Sequence, residues 1–166
     1  MDGTKEKIAV GVITELTKEA IKGIWAKVRE YLKDSDEKTE IDFGDAYEKY
    51  IKISSEKIRM VKTLIYRKEP RDIYSIYESV NLKYQENEIS ADKVNNIMDL
   101  GHRLIITGTA GIGKTTMLKY IFLNTIKEEA YIPVFVELRG MNNEEIKDIN
   151  LMDLVYSSLN NCGFEM

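Results

Sequence analysis

The chain has few of the residues that build disulfide frameworks, metal sites or membrane spans. Among its 166 residues there is one cysteine, Cys162, and one histidine, His102. One cysteine excludes an internal disulfide, and a lone histidine does not indicate a zinc site, which usually takes four ligands. No stretch approaches the roughly 20 apolar residues that cross a bilayer, so we predict no membrane span.

Excess charge of one sign is also lacking. The formal net charge is −4, which gives no global attraction to nucleic acid and indicates no nucleic-acid site. The N-terminus mixes both charges and lacks the apolar core of a secretory signal. A single cysteine fits a reducing compartment, and we therefore expect a cytoplasmic protein.

The first part of the chain has the apolar spacing of helices. Apolar residues recur every three or four positions, which predicts helices over 4–33 and 45–66, joined by a polar loop at 34–39. Pro70 ends the second helix because proline disfavours helical geometry in the residue before it. We therefore predict a helical N-terminal domain at residues 1–68.

Residues 69–166 alternate between strand and helix signals. A short strand is predicted over Val80–Tyr84, followed by a helix that Ser90 caps and Gly101 closes. The apolar run Arg103–Thr107 is typical of a strand buried on both faces. A helix over Lys114–Lys127, a second buried strand over Ile132–Leu138 and a last helix near Leu151–Leu159 follow. Strand, helix and strand in this order predict a parallel βαβ unit.

The segment between the first buried strand and its helix carries the chemistry. Gly108–Thr115 matches the pattern of glycine, four residues, glycine, lysine and a hydroxyl residue, and a chance match in a chain this long is on the order of one in two hundred. Glycines let the backbone curve so that the N–H groups of Gly111–Thr115 reach phosphate oxygens. Lys114 can reach the β- and γ-phosphates, and the Thr115 hydroxyl can bind Mg²⁺. The predicted cofactor-binding residues are Gly108, Thr109, Ala110, Gly111, Ile112, Gly113, Lys114, Thr115 and Thr116.

With its flanks, Leu104–Thr107 and Ile132–Arg139, this P-loop resembles the NACHT branch of the STAND nucleotide-switch ATPases. The resemblance covers about Leu82–Arg139. It implies an α/β P-loop NTPase with a parallel sheet core, partial in this chain, preceded by an α-helical N-terminal domain. The implied ligands are ATP or ADP with Mg²⁺, bound by a regulatory ATPase in which Lys114 serves catalysis.

The resemblance also implies a biological role. Such proteins respond to a trigger, here unknown, by rearranging their nucleotide and oligomerising through this module. In bacteria they commonly serve in defence against phage. Residues 1–68 would then form the effector or oligomerisation domain, and self-association through the helices and the NTPase module is expected.

One departure from the family stands out. The acidic strand end that positions Mg²⁺ and the attacking water is not visible, because Asp148 and Asp153 lie in helix-like surroundings without an apolar run before them. We therefore expect a truncated or natural fragment of a longer protein, 69–166 being the N-terminal part of the NTPase module. Alone, it should bind nucleotide poorly and hydrolyse it hardly at all.

Two other functions stay open. The chain could be a non-enzymatic helical interaction module whose P-loop is vestigial or completed in trans. It could also be a stand-alone P-loop kinase or small nucleotidase, which we favour least because such enzymes need downstream strands and acceptor-site residues. Arg139, after the second predicted strand, could approach the nucleotide or a neighbouring subunit, or lie in an ion pair.

Overall fold

The fold is known from a computed structural model that describes residues 22, 23, 26, 37–63, 68–141 and 150–164. The predicted helix at 4–33 lies outside these residues except for Lys22, Gly23 and Ala26, which are helical.

Helix α1 spans Glu37–Arg59. It begins within the segment predicted as the loop 34–39 and ends before the predicted end at residue 66, so both predicted bounds were wrong. Charged side chains with long stems are good helix formers and lose little freedom in a helix, which explains a polar helix start without a glycine or proline to interrupt it.

The chain after α1 forms a short antiparallel ribbon instead of more helix. Strand β1, Met60–Val61, pairs with strand β2, Arg71–Asp72, in the register Met60 with Asp72. The Arg59 guanidinium forms an ion pair with the Asp72 carboxylate. Asp72 also caps the one-turn helix α2, Ile73–Ile76, by accepting a hydrogen bond from the Tyr74 N–H at 3.0 Å.

A β-hairpin follows, and only its first strand was predicted. Strand β3, Asn81–Tyr84, confirms the predicted strand and pairs antiparallel with strand β4, Asn87–Ser90. Helix α3, Val94–Met98, confirms the predicted short helix, and Gly101 follows it with a φ of +142°. Ser90 lies at the end of β4 and does not cap α3.

The last elements agree closely with the sequence pattern. Helix α4 spans Lys114–Lys127, the predicted range. A 3-10 turn covers Leu138–Met141, and helix α5 covers Leu151–Asn160, as predicted for the last helix.

The predicted parallel sheet was wrong. Besides the helical residues Lys22, Gly23 and Ala26, the described residues contain five α-helices, one 3-10 turn and two small two-stranded antiparallel sheets. They therefore do not form an α/β P-loop fold. Neither Arg103–Thr107 nor Ile132–Glu137 pairs with any strand within them, and the Ile105 side chain is 93 % exposed. A parallel strand is stable only with partners in the same sheet and cover on its faces. In the segment after Ile132, Phe135 instead packs against the helical core. The Pro133 carbonyl accepts a hydrogen bond from the Tyr50 hydroxyl at 2.6 Å.

Helix α4 is the central element of the described core. Its middle and C-terminal part packs against α1, where Tyr47, Ile51 and Phe122 belong to one buried cluster. Its N-terminal part packs Met117 against Ile97 of α3 in a second cluster. The start of α4, which follows the glycine-rich loop, is therefore held by the second cluster, and the rest of the helix by the first.

No helix in the described ranges is both long enough and apolar enough to cross a membrane.

Candidate phosphate-binding site

The glycine-rich loop is a turn that leads directly into α4. Gly111 has a φ of +79° and Gly113 a φ of +98°. L-residues with a Cβ rarely adopt this left-handed region, and glycine does so freely. The two glycines are therefore needed where the backbone reverses its direction before the helix.

The N-terminus of α4 has no side-chain cap. Gly113 is the N-cap residue, and its carbonyl accepts the first helical hydrogen bond, from the Met117 N–H at 2.9 Å. Glycine has no side-chain oxygen for the N–H groups of the first turn, which need acceptors from elsewhere. Such an end, with the positive pole of the helix dipole, attracts anions.

The Lys114 side chain folds back over the loop. Its ammonium donates hydrogen bonds to the Gly108 carbonyl at 2.8 Å and to the Thr109 carbonyl at 2.9 Å. The positive charge is thereby held above the loop that precedes α4. Thr115, predicted to bind Mg²⁺, is exposed in the first turn of α4.

A cavity of about 510 Å³ adjoins the loop, a size within the range of ligand pockets. The start of α4 and the loop supply one wall, and the β3 strand with α3 supplies the other. The apolar run 104–107 also lines it, so part of the exposed surface of this run faces the cavity. The lining includes Tyr77, Leu82, Lys83, Tyr84, Ile97, Arg103, Gly113, Lys114 and Met117.

The charged side chains of this cavity are all positive. Lys83, Arg103 and Lys114 line it, and none of the described residues adds a carboxylate to the lining. Burial raises the pKa of Tyr77, another lining residue, above its ordinary value of 10. The cavity therefore combines cations and apolar surface, which suits an anion attached to an apolar group.

The other candidate residues do not join this site. Asp148 lies outside the described residues, and Asp153 lies in the first turn of α5. Arg139 and His102 are exposed. Within the described ranges, no group of three or more His, Cys, Asp or Glu side chains could hold a metal ion.

Sequence reasoning missed the second wall of the cavity. The alternation over Val80–Tyr84 indicated a strand, but nothing in it indicated that Lys83 and Tyr84 would line the same cavity as Lys114. That arrangement depends on how α3 and the hairpin pack against α4, which is a long-range property of the fold.

The chain matches no protein-family model, no curated protein and no solved structure. The site must therefore be interpreted from its own geometry.

Proposed function

We propose that the chain binds a nucleoside triphosphate, ATP with Mg²⁺, and acts as a nucleotide-dependent switch of the STAND/NACHT type. The observation that carries the proposal is the glycine loop before α4, with the Lys114 ammonium 2.8 Å from the Gly108 carbonyl. The proposal depends on this loop and helix and on no parallel sheet.

The loop supplies the groups that a polyphosphate needs. Backbone N–H groups at the start of α4 would donate to phosphate oxygens, and the helix dipole would favour their negative charge. Lys114 would exchange its two carbonyl partners for phosphate oxygens, which form stronger, charge-assisted hydrogen bonds. Thr115 would contribute its hydroxyl to Mg²⁺ when the ion accompanies the phosphates.

The cavity beside the loop would take the base and the sugar. Apolar side chains such as Leu82 and Ile97 line it, and Tyr84 offers a ring on which a base can stack. Adenine is proposed as the base because the loop and its flanks resemble those of ATP-binding switches.

In the proposed switch, nucleotide state controls self-association. Helix α4 begins at the loop and packs against α1, so a change at the loop can reach the helical part of the chain. The proposal also includes a cytoplasmic location, a trigger that is unknown, and a role in antiphage defence.

Calorimetric titration of the chain with Mg-ATP tests the proposal. We expect millimolar or tighter binding for the natural sequence and a loss of at least about tenfold for Lys114→Ala, because 1.4 kcal/mol corresponds to tenfold in affinity. Lys119→Ala is the matched control, since this lysine lies on the same helix and lines a different cavity. Equal affinity of the natural chain and Lys114→Ala would overturn the assignment.

A specific observation favours one alternative, a non-enzymatic interaction module. Helix α5 exposes Leu151, Met152 and Tyr156, each by more than half of its surface. Apolar side chains on an exposed helix often mark a protein contact. Absence of Mg-ATP binding together with concentration-dependent self-association in sedimentation would favour the module over the switch.

A further inference from the structure

The Asn124 carboxamide connects three parts of the fold in the described structure. Its side chain lies in α4 and is only 5 % exposed. The Oδ1 atom accepts a hydrogen bond from the Tyr74 hydroxyl at 3.1 Å, and the Nδ2 atom donates one to the Asp92 carbonyl at 3.2 Å. Both ends of a buried amide are therefore satisfied, and moving either partner away would leave a buried polar group unpaired.

Glu128 makes a second connection, directly after the last turn of α4. Its carboxylate accepts a hydrogen bond from the Val94 N–H, with the nearer oxygen at 3.3 Å. This N–H belongs to the first turn of α3, whose own N-cap residue, Lys93, makes no side-chain cap. A carboxylate here satisfies an otherwise unpaired donor, and its negative charge is attracted to the positive N-terminal end of the helix.

The two connections join the walls of the cavity described above. One wall comes from the start of α4, including Gly113 and Met117, and the other from Tyr84 of β3 and Ile97 of α3. Asp92 lies two residues after the end of β4, and Val94 begins α3. Asn124 and Glu128 therefore tie the hairpin and α3 to the far end of the same helix that begins at the glycine loop.

We propose that Asn124 and Glu128 are positioning residues for the base end of the nucleotide. They fix the distance between the glycine loop and the cavity wall formed by the hairpin and α3. At this distance the wall can contact the base and sugar while the phosphates lie in the loop. The inference rests on the proposed function and deepens it. It assigns to these two residues no contact with the phosphates.

A comparison of two ligands tests the proposal. Mg-ATP needs both walls of the cavity, whereas inorganic tripolyphosphate with Mg²⁺ needs only the loop. We expect the natural chain to bind ATP more tightly than tripolyphosphate by about tenfold or more, the effect expected of a few added contacts. In Asn124→Ala and Glu128→Ala this preference should fall by about fivefold or more, while tripolyphosphate affinity should change by less than about twofold.

Glu128→Gln is the matched control. Its amide oxygen can still accept from the Val94 N–H, so it should keep most of the preference for ATP. Glu128 is exposed, so replacing it should leave the core intact. If Asn124→Ala fails to fold, the comparison of Glu128→Ala with Glu128→Gln still tests whether the bond to the Val94 N–H supports the preference for ATP.

The outcomes separate this inference from the proposed function. A preference for ATP that is unchanged in Glu128→Ala overturns the inference and leaves phosphate binding standing. Equal affinity of the natural chain for the two ligands also overturns it, because the wall formed by β3 and α3 would then add nothing to ATP affinity. If the natural chain binds neither ligand, the proposed function and the inference fail together.

Discussion

The Lys114 ammonium lies 2.8 Å from the carbonyl oxygen of Gly108, six residues earlier in the chain. This hydrogen bond, with a second one to Thr109, closes the glycine-rich loop on its own backbone. A bound polyphosphate has to compete with these carbonyls for the ammonium. Its advantage is negative charge, since hydrogen bonds between two ionised groups are stronger than those to a neutral carbonyl.

Gly113→Ala should destabilise the chain and weaken ATP binding. Gly113 has a φ of +98°, and an L-residue held in the left-handed region costs roughly 1–2 kcal/mol. Urea unfolding should show this loss, and calorimetry should show weaker binding of Mg-ATP. Gly44→Ala is the control, because Gly44 lies inside α1 without a positive φ. If the two substitutions have equal effects on stability, the left-handed conformation of Gly113 is wrong.

Thr115→Val should reduce the contribution of Mg²⁺ to ATP affinity. Valine has nearly the shape of threonine but no hydroxyl oxygen for the octahedral shell of the ion. Calorimetry with and without Mg²⁺ measures how much the ion increases the affinity for ATP. We expect this increase to be about tenfold smaller in Thr115→Val, the effect of losing one good polar contact. Thr115→Ser keeps the oxygen and should behave like the natural chain. If Mg²⁺ increases the ATP affinity of Thr115→Val as much as that of the natural chain, Thr115 does not bind the ion.

Tyr50→Phe should cost more stability than Tyr47→Phe. Both phenols are almost completely buried in α1. The Tyr50 hydroxyl donates to the Pro133 carbonyl at 2.6 Å, whereas the Tyr47 hydroxyl has no hydrogen-bond partner among the described residues. We expect a loss of about 1 kcal/mol for Tyr50→Phe and a change within about 0.5 kcal/mol for Tyr47→Phe in urea unfolding. The reverse order would contradict the contact between α1 and the segment at Pro133.

Stability should fall at alkaline pH, and the same two tyrosines contribute to the fall together with Tyr74 and Tyr77, whose pKa values burial also raises. Burial raises the pKa of Tyr47 and of Tyr50 above the ordinary value of 10. Below that value both the folded and the unfolded chain keep the phenol protons, and these groups add no pH dependence. Above it the unfolded chain loses protons that the folded chain retains, so the free energy of unfolding falls by up to about 1.4 kcal/mol per pH unit for each tyrosine.

Urea unfolding at a series of pH values above 10 measures this slope. Tyr47→Phe removes one of the four tyrosines with a raised pKa and should make the decline with pH shallower than in the natural chain. A decline of the same steepness in this variant would show that the buried phenol of Tyr47 is not its cause.

Local signals in the sequence predicted part of the fold well. Helix α4 has the predicted bounds because glycines precede it and apolar residues recur along it at helical spacing. Strand β4 was missed because its hairpin turn, Gln85–Glu86, lacks the Asn-Gly or Gly-rich signal of most two-residue turns. Gln85 adopts a φ of +56° all the same, which the pairing of the two strands imposes on it.

Long-range pairing could not be predicted from the sequence. The apolar run Arg103–Thr107 has the composition of a buried strand, but composition does not say whether a partner strand is available. The same limit applies to the candidate site. The residue pattern identified Lys114 and the loop. The roles of Tyr84 and Asn124 depend on how distant elements pack against α4, which the local sequence does not indicate.

If backbone amides at the start of α4 hold a polyphosphate, their resonances should respond when Mg-ATP is added to the isotopically labelled chain. We expect the largest shifts on Gly111–Thr115, and we expect Lys114→Ala to remove them while resonances of α5 stay unchanged. Absence of shifts in Gly111–Thr115 at millimolar Mg-ATP, or equal shifts in Lys114→Ala, would contradict polyphosphate binding by these amides.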